Sequence, residues 1–488
     1  MTIPAQPPNS NTSGSGAPRS AFPDGFVWGA ATAAYQIEGG ATEDGRTASI
    51  WDTFSHTPGA VENGDTGDIA ADHYHRMPAD VALMKDLGLQ SYRFSTSWSR
   101  ILPGGGTRVN AAGLDFYSRL VDELLAAGIS PLLTLYHWDL PQELQDAGGW
   151  NNRDTAERFA DYATVVGRAL GDRVPAFTTL NEPWCSAYLG HSLGTHAPGL
   201  HDDALALDAA HHLLLAHGRG VAALRAVLPA AARVSITLNL AVVRPDSDSG
   251  EDRAAAVLAD GLANRIFLEP IVHGRYPGDV QAATAQITDW SFVHDGDLDV
   301  IRAPLDVLGV NFYSPTRVAA LTPEREAEIN RGGGDVHGGD RPSRYPGSDR
   351  IVVMPQEGPY TAMGWRMEPA SLTTLLLRLR DDYPGLPLMI TENGAAFDDE
   401  VSADGSVHDV RRIDYLSEHI GAVGSAIRQG ADVRGYYVWS LMDNFEWAFG
   451  YSRRFGIVYV DYPTQDRTWK DSAYWYRALI AENGLGTG

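Results

Sequence analysis

Cysteine is almost absent from this chain, since Cys185 is its single cysteine in 488 residues. An intrachain disulfide and a cysteine-ligated zinc site are therefore excluded. No run of about 18 apolar residues occurs either, which excludes a membrane-spanning helix. Residues 1–20 lack a basic start followed by an apolar core, so they do not predict a secretory signal. These absences favour a reducing, cytoplasmic compartment.

Basic side chains are also scarce, with 38 Lys and Arg against 62 Asp and Glu and a net charge of −24. A nucleic-acid partner is excluded, because phosphate binding needs a basic face. The negative charge itself indicates solubility and does not identify a substrate. It also leaves the oligomeric state open between a monomer and a homo-oligomer.

The chain shows no composition break after Ala21, although about 150 residues per domain would suggest three domains. Residues 1–20 are rich in Pro, Ser, Gly and Asn, which predicts a disordered tail. We therefore predict one catalytic unit over 21–484, followed by a short C-terminal tail over 485–488.

Short apolar runs alternate with helical patterns along this unit. The strand candidates are 26–32, 91–95, 131–136, 177–181, 234–239, 307–312, 387–391 and 435–440. The helical patterns include 79–87, 114–127, 154–170, 204–227, 411–429 and 470–483. Within 114–127, the predicted apolar face consists of Tyr117, Leu120, Val121, Leu124 and Leu125. Eight such units predict a single (β/α)8 TIM barrel, and a doubly wound sheet is the competing α/β fold. In the barrel, functional side chains come from the C-terminal ends of the strands.

Two long segments, 33–78 and 313–364, follow the first and sixth strands and predict long βα loops. The second segment contains the Gly-rich stretch 331–350. That stretch fits either a flexible surface loop or a loop that covers the site.

Two carboxylates stand at the ends of predicted strands. Glu182 lies in TTLNEP after the fourth strand, and Glu392 lies in MITENG after the seventh. A salt bridge or a helix cap would explain either one alone. As a pair they suit glycoside hydrolysis, in which one carboxyl donates a proton and the other attacks or assists. Arg93, at the end of the second strand, is a candidate to keep one of them ionised.

Aromatic and amide side chains occupy the other strand ends. They are Gln36, His137, Trp138, Asn239, Asn311, Tyr313, Trp439, Glu446 and Trp447. Core packing would explain any single Trp. A sugar, however, offers apolar C–H faces for stacking and hydroxyls for hydrogen bonding, so the set predicts a carbohydrate site. No nucleotide motif and no metal-ligand spacing accompanies it, so we expect neither a cofactor nor a metal.

Longer motifs carry a family resemblance from about Phe22 to Ile480. They include FVWGAATAAYQIEGG (26–40), YRFSTSWSRILP (92–103), LYHWDLPQEL (135–144), TLNEPW (179–184), ITENGAAF (390–397) and YYVWSLMDNFEWAFGYSRRFGIVYVDY (436–462). In this order, the motifs make the chain resemble the family 1 glycoside hydrolases of the β-glucosidase type.

The resemblance implies a role for each matching residue. Glu182 is similar to the acid/base and Glu392 to the nucleophile, while Arg93 and Tyr313 match partners of that nucleophile. The positions that match sugar-binding residues are Gln36, His137, Asn181, Trp439, Glu446 and Trp447. Trp138, next to His137, is a further candidate for substrate binding. Asn239 and Asn311 match supporting amides, and Trp365 matches a residue that contacts the aglycone.

The implied function is that of a retaining β-glucosidase acting on cello-oligosaccharides and on aryl or alkyl β-glucosides, as in cellulose degradation. Glucose, galactose and fucose remain open as the preferred sugar. Retaining chemistry also permits transfer of the glycosyl group to acceptors other than water. A non-catalytic sugar-binding or sensing protein on the same fold is the alternative from another class.

Overall fold

The computed structural model describes residues 20–325 and 345–486, with residues 20 and 21 described by their backbone alone. Eight parallel strands form a closed barrel, which confirms the predicted fold class. They are β1 (Val27–Ala31), β2 (Ser91–Ser95), β3 (Ser130–Tyr136), β4 (Ala176–Asn181), β5 (Arg233–Asn239), β6 (Val307–Asn311), β7 (Leu388–Asn393) and β8 (Val433–Trp439). Residues 1–19 of the predicted tail over 1–20 and most of the stretch 331–350 lie outside the described residues.

The strands follow one another around the barrel in chain order, and β8 pairs with β1 to close it. Both faces of each strand are covered, which explains their nearly continuous apolar sequences. The registers of β4 and β7 shift near their C-terminal ends, between Thr178 and Asn181 and between Ile390 and Glu392. Such irregularities change the direction of a side chain, and here they fall beside the two predicted carboxylates.

Helices cover the outside of the barrel. The longer ones are His73–Asp86, Ala111–Ala126, Asp154–Leu170, Asp203–Val227, Gly250–Asp260, Ile266–His273, Pro369–Asp382, Val410–Arg428 and Asp471–Glu482. Shorter helices are Ala34–Ile37, Ile50–Ser55, Trp98–Ile101, Gln142–Asp146, Gly278–Ala283 and Asp297–Ile301. None of the helices in the described ranges is both long and apolar enough to cross a membrane.

The helix Ala111–Ala126 corrects one detail of the predicted pattern. Tyr117, Leu120 and Leu124 are buried as expected, but Leu125 is 42% exposed. At 100° per residue, Leu125 lies at the edge of the apolar stripe rather than on its centre line.

Additional short strands lie outside the barrel. Val243–Pro245, Thr316–Ala320 and Ile351–Val353 form one small sheet, and Val458–Asp461 pairs with Asp466–Trp469. Ser20–Ala21 pairs with Gly484–Leu485, so the two ends of the described chain lie side by side. Beside this pair, the Asn483 side chain accepts a hydrogen bond from Trp28 Nε1 and donates one to the Phe22 carbonyl.

Candidate active site

A cavity of about 520 Å³ opens at the C-terminal ends of the barrel strands. Its lining includes most of the predicted site residues: His137, Trp138, Glu182, Asn239, Asn311, Tyr313, Trp365, Glu392, Trp439, Glu446 and Trp447. The other three, Gln36, Arg93 and Asn181, are fully buried and hydrogen-bond to lining residues. The barrel thus brings together side chains that are up to 411 positions apart in the sequence.

Glu392 is held by a cation and a phenol. One guanidinium nitrogen of Arg93 donates to Glu392 Oε1, and the other donates to Asn181 Oδ1 at 2.6 Å. The Tyr313 hydroxyl donates to Glu392 Oε2 at 2.6 Å. Burial, and next the charge of Glu392, raises the pKa of Tyr313 well above its usual value, so it stays a donor. The guanidinium and the phenol together fix both oxygens of Glu392.

Glu182 has a different surrounding, because both of its hydrogen-bond donors are neutral. Asn311 Nδ2 donates to Oε1, and the Cys185 thiol donates to Oε2 at 3.0 Å. Burial, and next the charge of Glu392, raises the pKa of Glu182 to about 7. Glu182 can therefore hold a proton near neutral pH, as a catalytic acid must.

The backbone around the cavity contains local departures from regular structure. Trp138, Glu182 and Trp447 adopt positive φ angles of 76°, 46° and 49°, a region that non-glycine residues rarely occupy. A π-helix, Cys185–Ser192, follows Glu182. Single π-turns are rare and occur often at functional sites, and this one places Cys185 and Leu189 on the cavity wall.

A polar corner of the cavity contains Gln36, Glu446 and His137. Gln36 Nε2 donates to the Phe445 carbonyl at 2.9 Å and lies 3.4 Å from Glu446 Oε2. Burial, then Glu392 and Glu182, raises the pKa of Glu446 to about 8. Gln36 Oε1 and His137 Nδ1 have no hydrogen-bond partner within the described ranges. Since buried polar atoms are normally paired, sugar hydroxyls are suitable partners for them.

Aromatic rings form the apolar part of the cavity. His137 stacks between Trp439 and Trp447, with ring centroids 5.8 and 5.9 Å away. Trp365 lies 5.0 Å from Tyr313. The outer wall adds residues that the sequence did not single out, namely Trp184, Leu189, His196, Leu240, Tyr345, Met354 and Phe455. Cys185 also lines the cavity.

Comparisons with known proteins agree with this geometry. Residues 18–485 match the model of glycosyl hydrolase family 1. A bifunctional beta-D-glucosidase/beta-D-fucosidase of Bifidobacterium breve is 52% identical over 95% of this chain and 98% of its own. Beta-glucosidase A of Thermotoga maritima is 46% identical over 95% of this chain and 98% of its own.

A solved structure shows the same similarity. The beta-glucosidase of Thermotoga maritima in complex with deoxynojirimycin superposes with a TM-score of 0.88, at 45% identity. That match covers 96% of this chain and all of the other. The chain therefore belongs to glycosyl hydrolase family 1.

Proposed function

We propose that this glycosyl hydrolase cleaves β-D-glucosides with retention of configuration, with Glu392 as the nucleophile and Glu182 as the acid/base. The observation that carries the proposal is the contrast between the two carboxyls. Glu392 is bound by the Arg93 guanidinium, whereas Glu182 has neutral donors and a pKa raised to about 7. A retaining mechanism needs one carboxylate that attacks and one carboxylic acid that protonates.

In the first step Glu392 attacks the anomeric carbon as Glu182 gives its proton to the departing oxygen. The bond from Glu392 neutralises the negative charge that raised the pKa of Glu182, so Glu182 becomes a base once the leaving group has gone. In the second step it takes a proton from water, and that water releases the sugar from Glu392.

The sugar-binding roles follow from the polar corner and the rings. Gln36, His137, Asn181 and Glu446 form or support hydrogen bonds to the terminal sugar, and Trp439 and Trp447 contact its apolar faces. Asn311 supports Glu182 directly by donating a hydrogen bond to it. Asn239 supports it indirectly, because it donates to Cys185, which in turn donates to Glu182. Trp138 and Trp365 line the same cavity, and Trp365 is assigned to the aglycone side.

The substrates we propose are cello-oligosaccharides and aryl or alkyl β-glucosides, cut at the non-reducing end. The names of the relatives support the glucosyl preference, and the glucosidase/fucosidase of B. breve supports β-fucosides as secondary substrates. We place the protein in the cytoplasm, because its single cysteine fits a reducing compartment. With cello-oligosaccharides as substrates, it acts at a late step of cellulose breakdown. The mostly aromatic and aliphatic outer wall suits aglycones with apolar surface.

Trapping of the glycosyl-enzyme tests the mechanism. A 2-deoxy-2-fluoro-β-glucoside with a good leaving group should label the protein once, and peptide mass spectrometry should place the label on Glu392. Label on another residue, or an α-configured first product by NMR, would contradict the proposal. The ratio of kcat/KM values for aryl β-glucosides, β-galactosides, β-fucosides and cellobiose then decides the substrate preference.

A further inference from the structure

Six charged side chains form a cluster in the protein interior, outside the cavity lining. The buried charge cluster consists of Asp399, Asp409, Arg412, Asp443, Arg454 and Lys470. Arg454 is 17% exposed and the other side chains are at most 3% exposed. Three acids face three bases, so the cluster carries no formal net charge. Since desolvation costs several kcal/mol per buried ion, only close pairing stabilises it.

Lys470 lies in the middle of this cluster. Its Nζ donates to Asp443 Oδ1 at 2.7 Å and also to Asp399 Oδ2. Asp399 accepts in addition from Arg412, and Asp443 accepts from Arg454, both at 2.6 Å. The result is an alternating row of charges in which one ammonium connects two carboxylates from different loops.

The choice of lysine at this position is unusual for the chain. Only two of its 38 basic residues are lysines, Lys85 and Lys470. An ammonium is a compact point charge that fits between two carboxylates, whereas the planar guanidinium favours bidentate pairing with one. Burial lowers the pKa of Lys470, and the two neighbouring aspartates oppose that shift.

Asp443 belongs to the segment that presents Glu446 to the cavity. Its Oδ1 also accepts from the Gly456 amide at 3.0 Å, and its own amide donates to the Val458 carbonyl at 2.9 Å. A Cβ atom at Gly456 would lie 2.1 Å from the Asp443 nitrogen, so the backbone at Gly456 packs directly against the backbone at Asp443. Glu446 follows Asp443 by three residues.

Asp399 belongs to the segment that follows Glu392. Arg412 connects this segment to the loop after β8, because it donates to the Ala395 carbonyl at 3.2 Å and to the Arg454 carbonyl at 2.7 Å. At the start of the segment, a Cβ atom at Gly394 would lie 1.7 Å from the Trp439 carbonyl oxygen. The Asp399 side of the cluster is therefore fixed against the barrel.

We propose that Lys470 is a positioning residue for Glu446. Its ammonium connects the base of the Glu446 segment, through Asp443, to the fixed segment that contains Asp399. The inference rests on the proposed function, in which Glu446 binds the terminal sugar. Without the ammonium, two buried carboxylates would repel each other and Glu446 would move relative to Glu392 and the sugar.

A double-mutant cycle tests this role. Lys470→Met, Glu446→Gln and the double variant are assayed with 4-nitrophenyl β-glucoside, at a temperature where circular dichroism shows each to be folded. If Lys470 acts through Glu446, Lys470→Met lowers kcat/KM at least tenfold in the natural background and less than threefold in the Glu446→Gln background. Equal losses in both backgrounds would overturn the proposal.

Arg467→Met is the matched control, because Arg467 pairs with the buried Asp80 outside the cavity lining. It should lower Tm and leave the kcat/KM of the folded enzyme within twofold of the natural value. If Lys470→Met does not fold, Lys470→Arg is used instead. Its loss of kcat/KM is again compared between the natural and the Glu446→Gln backgrounds. A natural enzyme that neither hydrolyses this glucoside nor is trapped by the fluoro-glucoside would count against the proposed function instead.

Discussion

At the scale of single residues, three carboxyls share one cavity but have different surroundings. Glu392 receives a hydrogen bond from the Arg93 guanidinium, while burial and then the charge of Glu392 raise the pKa values of Glu182 and Glu446 to about 7 and about 8. His137 stays neutral, because burial and then Arg93 hold its pKa well below the usual range.

Substitution of the two carboxyls should separate their roles. Glu392→Gly should lower kcat by about 10³-fold or more, because no nucleophile remains. Glu182→Ala should slow substrates with poor leaving groups far more than a 2,4-dinitrophenyl glucoside, which departs without a proton. Equal losses for both leaving groups would contradict the acid role of Glu182.

The pH dependence of kcat/KM should report Glu182. Activity requires its protonated form, so kcat/KM should fall as the pH rises through about 7. The Cys185 thiol donates to the ionised carboxylate and so lowers this pKa. Cys185→Ala should move the falling limb to higher pH, while Cys185→Ser, which keeps a donor, should move it less. If the falling limb of both variants coincides with that of the natural enzyme, the thiol has no such effect.

At the scale of helices and strands, much of the fold could be predicted from the sequence. Each barrel strand lies within two residues of its predicted segment, because a strand covered on both faces has a continuous apolar sequence. The π-helix Cys185–Ser192 was not predicted, since nothing in CSAYLGHS distinguishes it from an α-turn. Leu125 was placed on the buried face because one position makes a small angular difference on a helix.

The cavity residues also differ in whether the sequence could predict them. Glu182 and Glu392 could be found because polar residues at the ends of apolar strands are conspicuous. Tyr345 and Met354 could not, because they come from the long segment after β6, where neither strand nor helix periodicity indicates which side chains face inward.

Helix capping gives a prediction at this scale. Asp202 accepts hydrogen bonds from the Ala204 and Leu205 amides at 2.8 and 3.1 Å, at the start of the helix Asp203–Val227. Asp202→Ala should lower the free energy of unfolding by about 1 kcal/mol. Glu123→Ala, an exposed acidic residue within a helix, is the control and should change it by less than about 0.5 kcal/mol. Chemical denaturation of the three proteins checks the difference.

At the scale of the whole molecule, the two ends of the described chain lie side by side next to the barrel. The segment before β1 and the segment after the last helix meet through the pair Ser20–Ala21 and Gly484–Leu485. Asn483 adds two side-chain hydrogen bonds to this junction and has a φ of 49°, a conformation that Asn tolerates better than most residues. The junction lies at the face of the barrel opposite to the cavity, beside the start of β1.

Asn483→Ala should therefore affect stability and not catalysis. It removes both hydrogen bonds and places a residue with a Cβ and no polar side chain at a positive φ, which should cost about 1–3 kcal/mol. Tm should fall, while kcat/KM at 25 °C stays within twofold. Asn483→Gly, which relaxes the backbone but also loses the side chain, should recover part of the loss. A change in kcat/KM without a change in Tm would contradict this assignment.

The pairing of residues 20 and 485 also makes the chain suitable for circular permutation. Ends that already lie side by side can be joined by a short linker, and new ends can be cut in an exposed loop without altering the order of strands around the barrel. A circular permutant cut in a loop at the C-terminal ends of the strands would have both new termini near the cavity mouth. There, a fused carbohydrate-binding module would sit next to the entering substrate.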